Sequence, residues 1–138
     1  MSKDHFHLIG IGGIGMSAIA IALIKKGYSV SGSDLVKNQE TEKLKELGAI
    51  IFDSQKKNNI DYLLSNFQNQ KINIVISSAI KNENEELCYC KKKNFLIKHR
   101  SEILAMIMKS YTTLSIAGSH GKTSTSTFLS TLLELCTH

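Results

Sequence analysis

The chain's 138 residues suffice for one domain, or for one domain and the start of another, and 42% apolar with 21% charged residues excludes a disordered chain. Its net charge of +5 comes from short, scattered clusters (Lys25-Lys26, Lys56-Lys57 and Lys91 to Lys93) with no interleaved aromatics, which sets nucleic acid aside as a partner. Cys88, Cys90 and Cys136 are odd in number and form no C-x-x-C pair, so free thiols and a cytoplasmic location are expected.

Residues 5–34 organise the rest. An apolar run at 7–11 predicts a buried strand, and Gly10, Gly12, Gly13 and Gly15 predict a turn. A helix is expected from about 13 to 26, packed through Ile14, Ala18, Ile21, Ala22 and Ile24 and stopped by Gly27. Phe6 to Ile24 carries no Asp, Glu, Lys or Arg and approaches the length that crosses a bilayer. A strand, turn and helix also account for the central glycines, so a membrane span is not expected. A second strand at 28–32 leads to Ser33 and Asp34, which places a carboxylate 19 residues beyond Gly15. That spacing suits a nucleotide-binding βαβ unit and, taken alone, admits NAD.

Further along, the pattern predicts a surface helix at 39–47, a strand at 49–52, a polar loop at 53–59 and a helix at 60–67. The clearest later β signal is at 72–77. A helix at 84–93 has an acidic start and a basic end, which suits the helix dipole. A short strand at 95–98 and a helix at 100–109, apolar through Ile103, Leu104, Ile107 and Met108, complete the series. Unbroken alternation points to an α/β fold, a Rossmann-like open parallel sheet with helices on both faces. The series ends near Lys109 and a fresh strand is expected at 112–117. The 29 residues after Lys109 are too few for an independent core. The expected division is therefore a first domain at 1–109 and the start of a second at 110–138.

A second glycine loop follows that strand. Gly118, Ser119, His120, Gly121, Lys122, Thr123 and Ser124 precede a helical stretch at 126–135. Small residues here let backbone N–H groups face a phosphate at a helix N-terminus. Lys122 would reach the outer phosphates of ATP and the Thr123 hydroxyl would ligate Mg²⁺. The strict P-loop pattern has glycine at the position of Ile116, so the match is to a shortened form.

Taken together, IGIGGIGMSAIA near the start and GSHGKTST near residue 120 resemble the Mur ligase family, particularly its L-alanine-adding members. SSAI from Ser77, the Asn84-Glu85 pair and HRSEILAMIMKS from His99 to Ser110 resemble segments of the same enzymes, so the likeness covers nearly the whole chain. The resemblance implies a Rossmann-like UDP-sugar domain followed by the first strand, loop and helix of a P-loop ATPase domain. It implies a ligase that uses ATP and Mg²⁺ to join L-alanine to the lactyl carboxylate of UDP-N-acetylmuramic acid through an acyl phosphate, in peptidoglycan precursor synthesis. The chain alone is expected to bind the UDP-sugar without turnover, with the L-alanine site lying outside it.

In that scheme Gly12, Gly13, Ile14 and Gly15 would offer backbone N–H groups to the UDP diphosphate, and Asp34 would lie by the ribose or uracil. Ser77 and Ser78 admit two readings, a sugar-nucleotide contact or capping of the next turn. His120 is either a ligand contact or a spacer within the loop. His5 and His7 share a strand face with no third ligand suitably spaced, so structural roles are expected. His99 and Arg100 are expected to stabilise the domain junction rather than bind phosphate. Two alternatives stand beside the ligase: a NAD-binding Rossmann domain of an oxidoreductase, which leaves Lys122 and Thr123 unexplained, and a nonenzymatic nucleotide-binding module. Oligomeric state is left open.

Overall fold

The computed structural model describes residues 4–109 and 116–136. Five strands form one sheet: β1 (His5–Ile9), β2 (Ser29–Ser33), β3 (Ile50–Phe52), β4 (Ile72–Ile76) and β5 (Leu96–His99). Their order is β3-β2-β1-β4-β5 and every neighbouring pair is parallel. Between them run α1 (Ile14–Lys25), α2 (Gln39–Glu46), α3 (Lys57–Asn66) and α4 (Glu85–Lys92), with α5 (Arg100–Met108) after β5. This is the Rossmann-like α/β architecture expected from the alternating pattern. A further helix, α6 (Lys122–Cys136), belongs to the second described segment.

Each sheet face has its own core. On one face Phe6 and Leu8 of β1 pack with Val30, Val75, Met16, Ile19 and Leu23 of α1, Leu44 of α2, and Ile103 and Ile107 of α5. Ile9, from the opposite face of β1, packs with Ile74, with Ile60 and Leu63 of α3, and with Leu87 and Cys90 of α4. Successive strand residues point to opposite faces, which is how five residues of β1 serve both cores.

The local differences from expectation have simple causes. β1 starts two residues earlier and stops at Ile9, because Gly10 at φ +80° turns the chain before Ile11. α3 begins at Lys57 rather than 60, and β5 is shifted by one residue. The buried stripe of α1 is Met16, Ile19, Ala20 and Leu23, whereas Ile14 is 87% exposed and Ala18 faces outward. A helix that is apolar all round does not announce its buried side. α6 starts at Lys122, four residues before the expected 126, which brings Lys122 and Thr123 into its first turn. Most of the strand expected at 112–117 lies outside the described residues, and Ile116 and Ala117 are irregular.

Cys88 and Cys90 are free thiols on different sides of α4. Burial, reinforced by the nearby Glu86 carboxylate, pushes the Cys90 thiol up to about 12. Among the described residues no helix is long and apolar enough to cross a membrane.

Candidate functional site

The site lies where the strand order reverses. β1 sits between β2 and β4, and the connections leaving β1 and β4 lead to helices on opposite faces. A crevice therefore opens at the carboxyl ends of the strands.

The glycine loop at this edge is strapped to the end of β2. The Gly10 and Ile11 amides donate to the Ser33 carbonyl at 2.8 and 3.1 Å. Asp34 Oδ2 accepts from the Gly12 amide at 2.8 Å, and its Oδ1 accepts from the Val36 amide at 3.0 Å. Asn38 caps α2 and donates through Nδ2 to the Gly12 carbonyl at 3.0 Å. Glycine is required at position 12: a Cβ there would stand 2.9 Å from Asp34 Oδ2 and 3.0 Å from Thr41 Cγ2.

These contacts divide the loop amides into two sets. Gly12 gives its N–H to Asp34, and Gly13 gives its own to the Gly10 carbonyl at 3.3 Å, so neither faces outward as the sequence suggested. Ile14 and Gly15 open α1, and among the described residues their amides have no acceptor. The positive end of α1 thus offers two N–H groups and the helix dipole.

A cavity of about 550 Å³ covers that helix end, lined by Gly10, Gly12, Gly13, Ile14, Gly15, Asp34, Gln55, Ser77, Ala79, Ile80 and Arg100. Nη1 of Arg100 stands directly over Gly15. The sequence placed Arg100 at a domain junction; in the structure its guanidinium lies against Gly15 and in the wall of this cavity. The signal was available: Arg100 follows the carboxyl end of a strand, where ligands of open α/β sheets gather. Its neighbour His99 caps α5 with Glu102. Ser77 lines the cavity while its hydroxyl accepts from the Ala79 amide at 3.3 Å, and Ser78 does not line it. A smaller adjoining cavity of about 190 Å³ shares Asp34 and Val36 and is walled by Lys37, Thr41, Lys45 and Phe52.

Behind the loop, on the sheet face that carries α3 and α4, a polar chain that is buried except at Ser29 connects β1, β2 and α4. His5 contacts Ser29 Oγ and Ser31 Oγ at 2.8 and 2.7 Å. His7 Nδ1 lies 2.7 Å from Ser31 Oγ, and its Nε2 lies 3.0 Å from Glu86 Oε1. Ser33 Oγ and Asn59 Nδ2 also donate to Glu86, at 2.5 and 2.8 Å. Burial, with His7 alongside, lowers His5 from 6.5 to about 4. The two histidines are structural, as expected. Glu86 was read from sequence only as part of an acidic helix start. The missed signal is the period-two match of His5 and His7 with Ser29, Ser31 and Ser33, which requires a buried partner.

Gly121 adopts φ +75°, and Lys122 Nζ donates back to the Gly118 carbonyl at 2.6 Å. The Thr125 amide makes a helical bond to the Gly121 carbonyl, which leaves the amides of residues 122–124 at the open end of α6. Thr123 and Ser124 are exposed in this first turn, and His120 Nδ1 lies 3.3 Å from Ser119 Oγ. Among the described residues no group of three or more His, Cys, Asp or Glu side chains is arranged to hold a metal ion.

The family model described as "Mur ligase family, catalytic domain" matches residues 5–112. The chain belongs to the Mur ligase family. Over 136 residues it is 81% identical to a UDP-N-acetylmuramate–L-alanine ligase of Prochlorococcus marinus subsp. pastoris, covering 99% of this chain and 29% of that relative. Among solved structures it is similar to the murein peptide ligase of Psychrobacter arcticus, with a TM-score of 0.82 and 25% identity over 95% of this chain and 26% of that one. It is also similar to the UDP-N-acetylmuramate-alanine ligase of Thermotoga maritima, with a TM-score of 0.65 and 26% identity over 77% and 23% of the two chains. The chain therefore spans under a third of the length of these family members.

Proposed function

We propose that residues 1–109 bind UDP-N-acetylmuramic acid and that the loop at 118–124, within a second unit at 110–138, binds ATP with Mg²⁺. Together they serve an ATP-dependent ligase that joins L-alanine to the sugar's lactyl carboxylate. The observation that carries the reading is the open N-terminus of α1 facing Arg100 at the strand-order reversal, a cradle of two amides and one guanidinium for a diphosphate. Ser77 would meet the sugar side. The nucleoside would extend past Asp34 toward the smaller cavity walled by Phe52 and Lys37.

In the proposed reaction the carboxylate oxygen attacks the γ-phosphorus of ATP and ADP departs, leaving an acyl phosphate. The alanine amine then attacks the acyl carbon, inorganic phosphate leaves, and the nitrogen loses a proton as the amide forms. What supports the nucleotide at the second loop is Gly121 at φ +75° followed by the open first turn of α6, where Lys122 and Thr123 are exposed. Lys122 would hold the outer phosphates and the Thr123 hydroxyl would ligate Mg²⁺, which supplies charge neutralisation when bound. These substrates assign the chain to the cytoplasm and to peptidoglycan precursor synthesis. Family membership favours this reading over a NAD-dependent oxidoreductase.

Calorimetric titration with UDP-N-acetylmuramic acid, NAD and ATP·Mg²⁺ tests it. Gly13→Val is expected to abolish UDP-sugar binding while the protein still folds, because Gly13 is exposed at φ −68° and a Cβ there meets only the Gly10 carbonyl at 3.6 Å. Lys122→Ala is expected to leave that binding unchanged and to weaken ATP. Tight NAD binding with no response to the UDP-sugar would overturn the assignment.

A further inference from the structure

We infer that Glu86 is a positioning residue for the glycine-loop site, acting through Ser33. Donor directions around the carboxylate support this. Asn59 uses both its N–H groups, one on Glu86 Oε1 and one on the Ser54 carbonyl at 2.6 Å. Ser33 donates to Oε2. With His7 Nε2–H donating to Oε1, its Nδ1 accepts from the Ser31 hydroxyl. Ser31 Oγ in turn accepts from His5 Nε2–H, and His5 Nδ1 accepts from Ser29. Every donor then points along the chain toward Glu86, and every imidazole nitrogen is satisfied. The depressed titration of His5 agrees with a neutral ring.

Ser33 is where this buried chain meets the loop. Its carbonyl receives the Gly10 and Ile11 amides, and Asp34, which holds Gly12, is the next residue. Glu86 therefore fixes the end of β2 from beneath, and the end of β2 fixes the loop. α4 adds a second link, since its capping Asn84 donates to Oε1 of Gln55, a residue of the cavity wall, at 2.7 Å. A fully buried carboxylate thus sets the register of the amides that open α1.

Two measurements on the full 138-residue chain test this. The first, amide hydrogen exchange without ligand, is independent of the function proposed above; the second, calorimetric titration with UDP, rests on it. Ser33→Ala and Glu86→Ala are expected to speed exchange at Gly10, Ile11 and Gly12 by about tenfold beyond any change at Val75, whose amide reports the β1·β4 ladder. Glu86→Gln keeps a carbonyl acceptor for His7 and Asn59 and offers an N–H to Ser33 Oγ, so it is expected to restore the loop to within about twofold of the parent. UDP Kd is expected to rise about fivefold in Ser33→Ala and to stay within about twofold in Glu86→Gln. Ile60→Val, which loosens the same core without touching the chain, is expected to leave loop exchange unchanged relative to the ladder. Ser33→Ala decides alone where Glu86→Ala does not fold. Loop exchange in Ser33→Ala that merely follows the ladder overturns the positioning role, as does a Glu86→Gln protein as impaired as Glu86→Ala. A parent chain that ignores UDP yet shows the expected exchange pattern overturns the UDP reading and leaves the positioning role standing.

Discussion

A guanidinium above the open end of a helix adds a full charge where the peptide dipoles already favour an anion. Arg100 holds that place over Gly15 with an exposed side chain, so Arg100→Ala is expected to leave the unfolding midpoint nearly unchanged. The same change is expected to weaken UDP binding about tenfold, or roughly 1.4 kcal/mol, and to flatten its salt dependence, read by calorimetry at two ionic strengths. His5 makes a different kind of prediction. Its folded-state value, about 4, lies below the unfolded 6.5, so between these limits the unfolded chain binds more protons. Stability contributed by neutral His5 is complete above about 6.5 and falls as pH drops toward 4, by up to roughly 1.4 kcal/mol per pH unit. Chemical denaturation across that window checks it, and His5→Gln is expected to flatten the slope. His5 and His7 were legible in sequence as a structural pair because they lack a third ligand. Their partner Glu86 was not, since three other elements bury it and only tertiary packing brings them together.

At the scale of elements, β2 carries a constraint its short, serine-rich sequence hides. Gly32 pairs with Leu8 and Ile51, and a Cβ on it would stand 2.6 Å from both Ile11 Cβ and the Leu8 carbonyl oxygen. Gly32→Ala is therefore expected to lower stability by about 1–3 kcal/mol, read as a lower urea midpoint at unchanged m-value. Element existence was readable throughout residues 4–109, since strand and helix periods alternate without interruption. Boundaries were less so where glycine geometry decides them, as at Gly10, and the buried side of α1 was hidden because Ile14, Ala18 and Ile21 are as apolar as Met16 and Ile19. At the second loop the sequence showed the phosphate-binding pattern but not that α6 begins at Lys122 itself.

Across the whole molecule, the site draws on residues far apart in sequence. Gly15, Asp34, Ser77 and Arg100 come together because four parallel strands deliver their carboxyl ends to one edge. Spacing alone linked Gly15 with Asp34, since they share one βαβ unit; strand order was needed to add Ser77 and Arg100. The same strand order governs how the chain folds. β1, the first of these five strands in chain order, occupies the middle of the sheet, and its second neighbour β4 starts at Ile72. Until that residue emerges, one edge of the most buried strand has unpaired backbone groups and an apolar face uncovered. The interval before β4 arrives is therefore when the chain is most prone to pair with a wrong partner.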